Sequence, residues 1–121
     1  MINPAYLVGT GAAIGALLRY GTNQYVRRIG LTHRFPSGTF TVNVIGSFVL
    51  ALLTFGAASD AVLAAVGTGA CGAYTTFSSF AVDTVQLWES DDHLLAGWYA
   101  VANLLGALLA IGLAWRLTSV F

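Results

Sequence analysis

The stretch Gly69–Phe80, GACGAYTTFSSF, lies in a charge-free run long enough to cross a bilayer, yet it carries four hydroxyl side chains besides a tyrosine. It also holds two glycines and two phenylalanines spaced three apart. Gly67, Gly69 and Gly72, followed by Thr75 and Thr76, weaken a helix near its middle, because glycine and β-branched residues are poor helix formers. Non-helical backbone at membrane depth is tolerated only where it is buried in protein or lines a cavity. A break there frees carbonyl oxygens able to coordinate a hard cation such as sodium. Phe77 and Phe80, at i and i+3, share one helix face. A phenyl ring has a positive edge, so rings held edge-on stabilise an anion. The hydroxyls of Thr76, Ser78 and Ser79 can replace part of that anion's lost hydration. The alternative is a packing interface whose hydroxyls bond back to the i−4 carbonyls. The residues alone leave both readings open.

Around this stretch the composition is that of a membrane protein. The chain has 121 residues, 57% hydrophobic and 8% charged, where a soluble domain carries roughly a quarter charged residues. A spanning helix needs about 20 mostly apolar residues to cover about 30 Å of hydrocarbon. Four stretches are expected to serve: about 4–26, 37–59, 61–84 and 94–117. They make residues 1–121 one all-α unit of four transmembrane helices, the third broken near its middle. The N-terminus has no basic segment ahead of its long apolar run, so it reads as a retained helix rather than a cleaved signal. Small residues recur at packing spacing, as in Gly11 and Gly15 or Ala102, Gly106 and Ala110, letting helix backbones approach closely.

Few strongly polar side chains lie deep in these spans, and each costs free energy unless partnered. Asn43 with Ser47 in the second span, and Asn103 in the fourth, read either as interhelical hydrogen-bonding groups or as part of a transport path. Arg19 can snorkel to the headgroups. It can equally form an electropositive entrance that gathers anions.

Several function classes are excluded. Five arginines balance five acids, with no basic stripe to neutralise phosphates, so nucleic acid is not a partner. The single cysteine, Cys71, rules out an internal disulfide and multi-cysteine metal motifs, and its apolar neighbours suit a small buried side chain. His33 and His93 lie in different loops without ligand spacing, and no basic residue is placed to activate a serine. An enzyme is not expected. A proton-coupled drug exporter of similar size needs a carboxylate in its first helix, yet no acid precedes Asp60 here. A non-conducting membrane scaffold or assembly subunit stands as the alternative to a channel.

Four segments in order carry a resemblance over essentially the whole chain: GTGAAIGALLRY (Gly9–Tyr20), PSGTFTVNVIGSF (Pro36–Phe48), GTGACGAYTTFSSFAVD (Gly67–Asp83) and NLLGALLAIGLA (Asn103–Ala114). On these the sequence resembles the Fluc (CrcB) family of fluoride channels. The resemblance implies a multi-pass protein of the cell membrane that exports fluoride passively and protects against its toxicity. It implies an antiparallel, dual-topology dimer of four-helix subunits with two narrow pores. Phe77 and Phe80 would line those pores, with Asn43, Thr76, Ser78 and Ser79 beside them. Arg19 matches the family's first-helix arginine. Carbonyls at the break, matched here by Gly72 and Thr75, would hold a sodium ion that is not transported. Two departures stand out: Ala107 and Ile111 fall where relatives often carry a fourth-helix hydroxyl track, and Asp83 falls where glutamate is common.

Charge placement adds an orientation. The loop at 27–35 carries Arg27, Arg28 and Arg34, while the opposite side carries only Arg116. The positive-inside rule puts that loop in the cytoplasm and both termini outside. A homodimer inserted both ways needs little bias, so the expected partner is either a second copy or an oppositely inserted paralogous subunit.

Overall fold

The computed structural model describes residues 2–31 and 33–121, which are helical apart from short connections, with no strand among the described residues. The first helix, Pro4–Arg28, starts on a proline whose missing N–H has no intrahelical partner to lose. Asn3 caps it, its side-chain oxygen accepting the Ala5 N–H at 3.0 Å. Arg27 and Arg28 close its last turn, where positive charge complements the helix dipole. Gly30 then turns the chain at φ +76°, a backbone region that suits glycine.

The second helix, Ser37–Phe55, ends four residues short of the expected 59. Gly56 stops it, and Ala57 takes a left-handed φ of 52°, reversing the chain before Ser59 opens the third span in extended geometry. The fourth helix, His93–Thr118, runs unbroken.

Between them the third span comes in two halves. The first is continuous over 60–74. It begins as an α-helix in Asp60–Val62, is π-wound over Leu63–Cys71 and returns to α in Gly72–Tyr74. The second half is Phe77–Glu89. Two extended residues separate them, Thr75 at φ −77°, ψ 159° and Thr76 at φ −150°, ψ 118°. The break expected from the glycine and threonine pattern is therefore present, near the centre of the span. Long π-winding is rare and concentrates at functional sites.

Of the four spans expected, two are long and apolar enough to cross a membrane as they stand: Ser37–Phe55, mean hydropathy 1.8, and His93–Thr118, mean hydropathy 1.9. The first helix carries Arg19 and a polar end that includes Thr22, Asn23 and Gln24, which lowers its hydropathy. The break leaves neither half of the third span long enough alone.

The packing is inverted relative to a soluble bundle. Leu17, Trp98, Leu109 and Phe77 are all exposed, whereas half of the buried apolar set is alanine and the rest is Val26, Val42, Cys71 and Tyr99. Such an apolar exterior is a membrane or partner surface. Close backbone approach replaces the hydrophobic drive that lipid removes. Gly11 and Gly15 face the backbone of Ala65 and Ala70, and a Cβ on Gly69 would stand 2.6 Å from the Val8 carbonyl oxygen. On the other side Gly106 receives the Phe40 ring and Val44, each within 2.9 Å of where its Cβ would be.

Candidate functional site

The site forms around the break, and the sequence there dictates how. The Cys71 carbonyl accepts both the Thr75 N–H at 3.0 Å and the Thr75 hydroxyl at 2.9 Å, closing the first half-helix. Thr75 then turns extended, so the Thr76 N–H no longer points along the helix. Asn43, on the facing second helix, takes it on its side-chain oxygen at 2.8 Å and donates its Nδ2 to the Thr76 carbonyl at 3.2 Å. Asn43 therefore pairs with Thr76 as a strand neighbour would, satisfying backbone groups that the break leaves without helical partners. Gly46, one turn along, makes room, because a side chain there would collide with the Thr75 methyl group. Thr76 is itself buried, and its hydroxyl caps the second half-helix by accepting the Ser79 N–H at 3.1 Å.

The polar contacts continue across the bundle. Asn43 Nδ2 also donates to Asn103 Oδ1 at 3.2 Å, and Asn103 Nδ2 donates to the Tyr99 carbonyl at 3.0 Å. Two turns along from Thr76, the Asp83 carboxylate accepts the Thr39 hydroxyl at 2.7 Å and the Tyr99 hydroxyl at 3.0 Å. Two polar rungs result, each joining the second, third and fourth helices: Asn43–Thr76–Asn103 and Thr39–Asp83–Tyr99. Phe80 lies between them in sequence. Its ring packs 5.6 Å from that of Phe77 on one side and 5.6 Å from that of Tyr99 on the other.

Beside these rungs lies a cavity of about 790 Å³, open along one side. Asn43, Ser47, Thr76, Phe77, Phe80 and Asn103 line it, together with Gly72 and Thr75. Phe77 is 80% exposed, a large apolar ring left without cover in a single chain. Ala107 contributes an apolar wall, and Ile111 lies outside.

Not every residue expected at the site is brought into it. Ser78 and Ser79 do not line the cavity. Phe77 and Phe80 share a helix face, and successive residues rotate by about 100°, so the two serines between them project elsewhere. Ser78 is exposed, its hydroxyl 3.3 Å from that of Thr76. Arg19 is half-buried on the first helix, which contributes nothing to the cavity. Thr39, Asp83 and Tyr99 were not picked out from the sequence as partners. The available signal was spacing, since Thr39 precedes Asn43, and Tyr99 precedes Asn103, by one helical turn.

The break also leaves oxygen ligands. With its N–H given to Asn43, Thr76 cannot serve the Gly72 carbonyl as it would in a continuous helix. Neither of the two extended residues donates to the carbonyls of Gly72, Ala73 or Tyr74, since the Thr75 N–H goes to Cys71 and the Thr76 N–H to Asn43. Gly72 is exposed, with open space where a Cβ would stand.

A family model described as CrcB-like protein, Camphor Resistance (CrcB), matches residues 6–115. The chain is 51% identical over 116 residues to the Fluoride-specific ion channel FluC 1 of Halobacterium salinarum, covering 96% of this chain and 94% of that protein. It is also 51% identical over 120 residues to the Fluoride-specific ion channel FluC 2 of Haloarcula marismortui, with 98% and 97% covered. The Fluoride-specific ion channel FluC 1 of Listeria monocytogenes is 40% identical over 105 residues, with 86% and 88% covered. The match runs from Tyr6 to Trp115, through every helix that builds the break and its rungs, and the chain belongs to the CrcB family.

Proposed function

We propose that the chain is one subunit of a fluoride-selective channel of the cell membrane, through which fluoride leaves the cytoplasm down its electrochemical gradient. The observation that carries this reading is the cavity where Phe77 and Phe80 stand beside the braced break. Relatives half identical to the chain along nearly its full length are named fluoride-specific ion channels. Fluoride is small and strongly hydrated. A selective pore must return dense, short-range stabilisation while excluding larger anions by diameter. Ring edges from the two phenylalanines and polar groups around Asn43 and Thr76 suit that demand.

One chain supplies only a wall of such a path. The open side of the cavity and the uncovered Phe77 ring call for a second subunit, packed antiparallel so that it presents the same face. That subunit is either another copy or an oppositely inserted paralogue, and the excess of arginine in the first loop favours the paralogue. Arg19 lies on the helix outside the cavity, suited to a vestibule or to the headgroup boundary.

The carbonyls at the break, which the Thr76 N–H no longer serves, fit a structural sodium ion. Gly72 and Thr75 would hold it through backbone oxygens, the ligand type a hard monovalent cation takes at a helix break. When bound it would supply positive charge that fixes the break and the subunit interface.

The test is fluoride efflux from liposomes holding the purified chain, with and without a paralogue, chloride as the control anion, and a parallel series free of sodium. Rapid fluoride efflux without chloride efflux is expected, along with its loss in Phe80→Ile protein that still folds. Liposomes no leakier to fluoride than bare lipid would refute the channel and favour a non-conducting scaffold.

A further inference from the structure

A hydroxyl at membrane depth is costly unless bonded, and a helix offers it the carbonyl one turn back. On the second helix, Thr41 donates to the Ser37 carbonyl at 2.7 Å and Thr54 to the Leu50 carbonyl at 2.8 Å. On the first half of the third span, Thr75 donates to the Cys71 carbonyl in the same way. Ser47 and Thr68 lie on these same two elements and depart from the pattern. Neither hydroxyl makes a hydrogen bond among the described residues. Exposure does not account for the difference, since Thr54 is exposed and still bonded. What Ser47 and Thr68 share is the cavity, which both line. Asn43, Thr75, Thr76 and Asn103 line it too, and each holds at least one protein partner.

Their height in the bundle follows from the packing. Gly46 meets the Tyr74 and Thr75 side chains, and Gly67 meets Leu50, so the second helix and the first half of the third span run antiparallel along the cavity. Ser47 comes one turn after Asn43, about 5.4 Å along the axis, and Thr68 falls near the level of Leu50. Both stand on the side of the break nearer the turn at 56–59. On the fourth helix, the cavity-lining residue one turn beyond Asn103 is Ala107, which offers no polar group.

We propose that Ser47 and Thr68 form a second anion-solvating step in this cavity, their two O–H groups donating to a fluoride ion on the turn side of the break. The proposal rests on the channel reading above and carries the ion's path past the rung of Asn43, Thr76 and Asn103. A hydroxyl also offers lone pairs to a cation. The break already presents carbonyl oxygens for that purpose, whereas an anion needs donors, and backbone carbonyls supply none.

The experiment compares Ser47→Ala, Thr68→Val and Thr68→Ser with the wild-type protein in liposomes, by fluoride efflux, and in mixed micelles, by equilibrium unfolding. Ser47→Ala and Thr68→Val are each expected to slow fluoride efflux about tenfold, the low end for one hydrogen bond to a charged group. Both should unfold as the wild type does, because no hydrogen bond within the protein is lost. Thr68→Ser keeps the hydroxyl and should retain most of the flux. Wild-type efflux from the Ser47→Ala, Thr68→Val double variant overturns the proposal and leaves the channel standing. So do equal losses in Thr68→Ser and Thr68→Val, or a loss restored by raised sodium, which would assign the hydroxyls to a cation. Absence of any wild-type fluoride efflux overturns the channel reading as well.

Discussion

Replacing Asn43 by alanine removes the clamp on the broken helix, and the cost can be worked from its contacts. Three groups lose their partner: the Thr76 N–H at 2.8 Å, the Thr76 carbonyl at 3.2 Å and Asn103 Oδ1 at 3.2 Å. An unsatisfied buried polar group costs about 1–3 kcal/mol. Thr76 is buried, so its two groups carry most of the loss. The cavity alongside admits water, which holds each near the low end of that range. A net destabilisation of about 3 kcal/mol follows, above the roughly 0.6 kcal/mol average for interhelical hydrogen bonds in membranes. The assay is equilibrium unfolding in mixed detergent micelles, run beside fluoride flux in liposomes. Thr54→Ala is the control, since that exposed hydroxyl bonds only the Leu50 carbonyl of its own helix. Asn43→Ala is expected to lose stability and flux together, and Thr54→Ala neither. If Asn43→Ala unfolds within about 0.5 kcal/mol of wild type, the clamp does not hold the break as described.

Three further perturbations separate other parts of the structure. Gly46→Ala drives a methyl into the Thr75 side chain and should cost about 1–3 kcal/mol by overpacking; Gly97→Ala, which meets nothing within 4 Å, should be near neutral in the same unfolding assay. Asp83→Leu leaves the Thr39 and Tyr99 hydroxyls without their acceptor and should cost about 1–3 kcal/mol for each group that finds no other. Asp83→Asn keeps an oxygen for both and should unfold close to wild type, so equal losses in the two variants would count against the second rung. Replacing Arg27, Arg28 and Arg34 by alanine removes the charge asymmetry and should convert single-sided labelling of a cysteine placed at the N-terminus into labelling from both membrane faces.

How much of this was legible in the sequence depended on the kind of information each feature needed. The break was legible because Gly67, Gly69, Gly72, Thr75 and Thr76 state it locally, through propensity. The clustering of Phe77 and Phe80 was legible because helical spacing fixes a shared face. The same rule, applied one residue at a time, turns Ser78 and Ser79 away from the face that Phe77 and Phe80 present to the cavity. The Asp83 rung needed knowledge of which helices face each other, and i to i+4 spacing within one helix does not give that. The π-winding of Leu63–Cys71 was not legible either. It accompanies close packing on Gly11 and Gly15, whose spacing marks a packing face but does not say which helix meets it. The early end of the second helix turned on Ala57 adopting a left-handed φ, which alanine rarely does.

Thr39 and Asn43 lie one turn apart on a single unbroken helix, and between them they grip both rungs of the severed span. It follows that when this helix leans, its two handholds travel as one rigid body. The distance separating Thr76 from Asp83, and with it the seat of Phe80, is thereby insulated from the surrounding lipid. Bilayers of thinner or thicker hydrocarbon should change how the bundle sits far more than how fast halide passes, and flux measured across a series of acyl-chain lengths should be nearly flat.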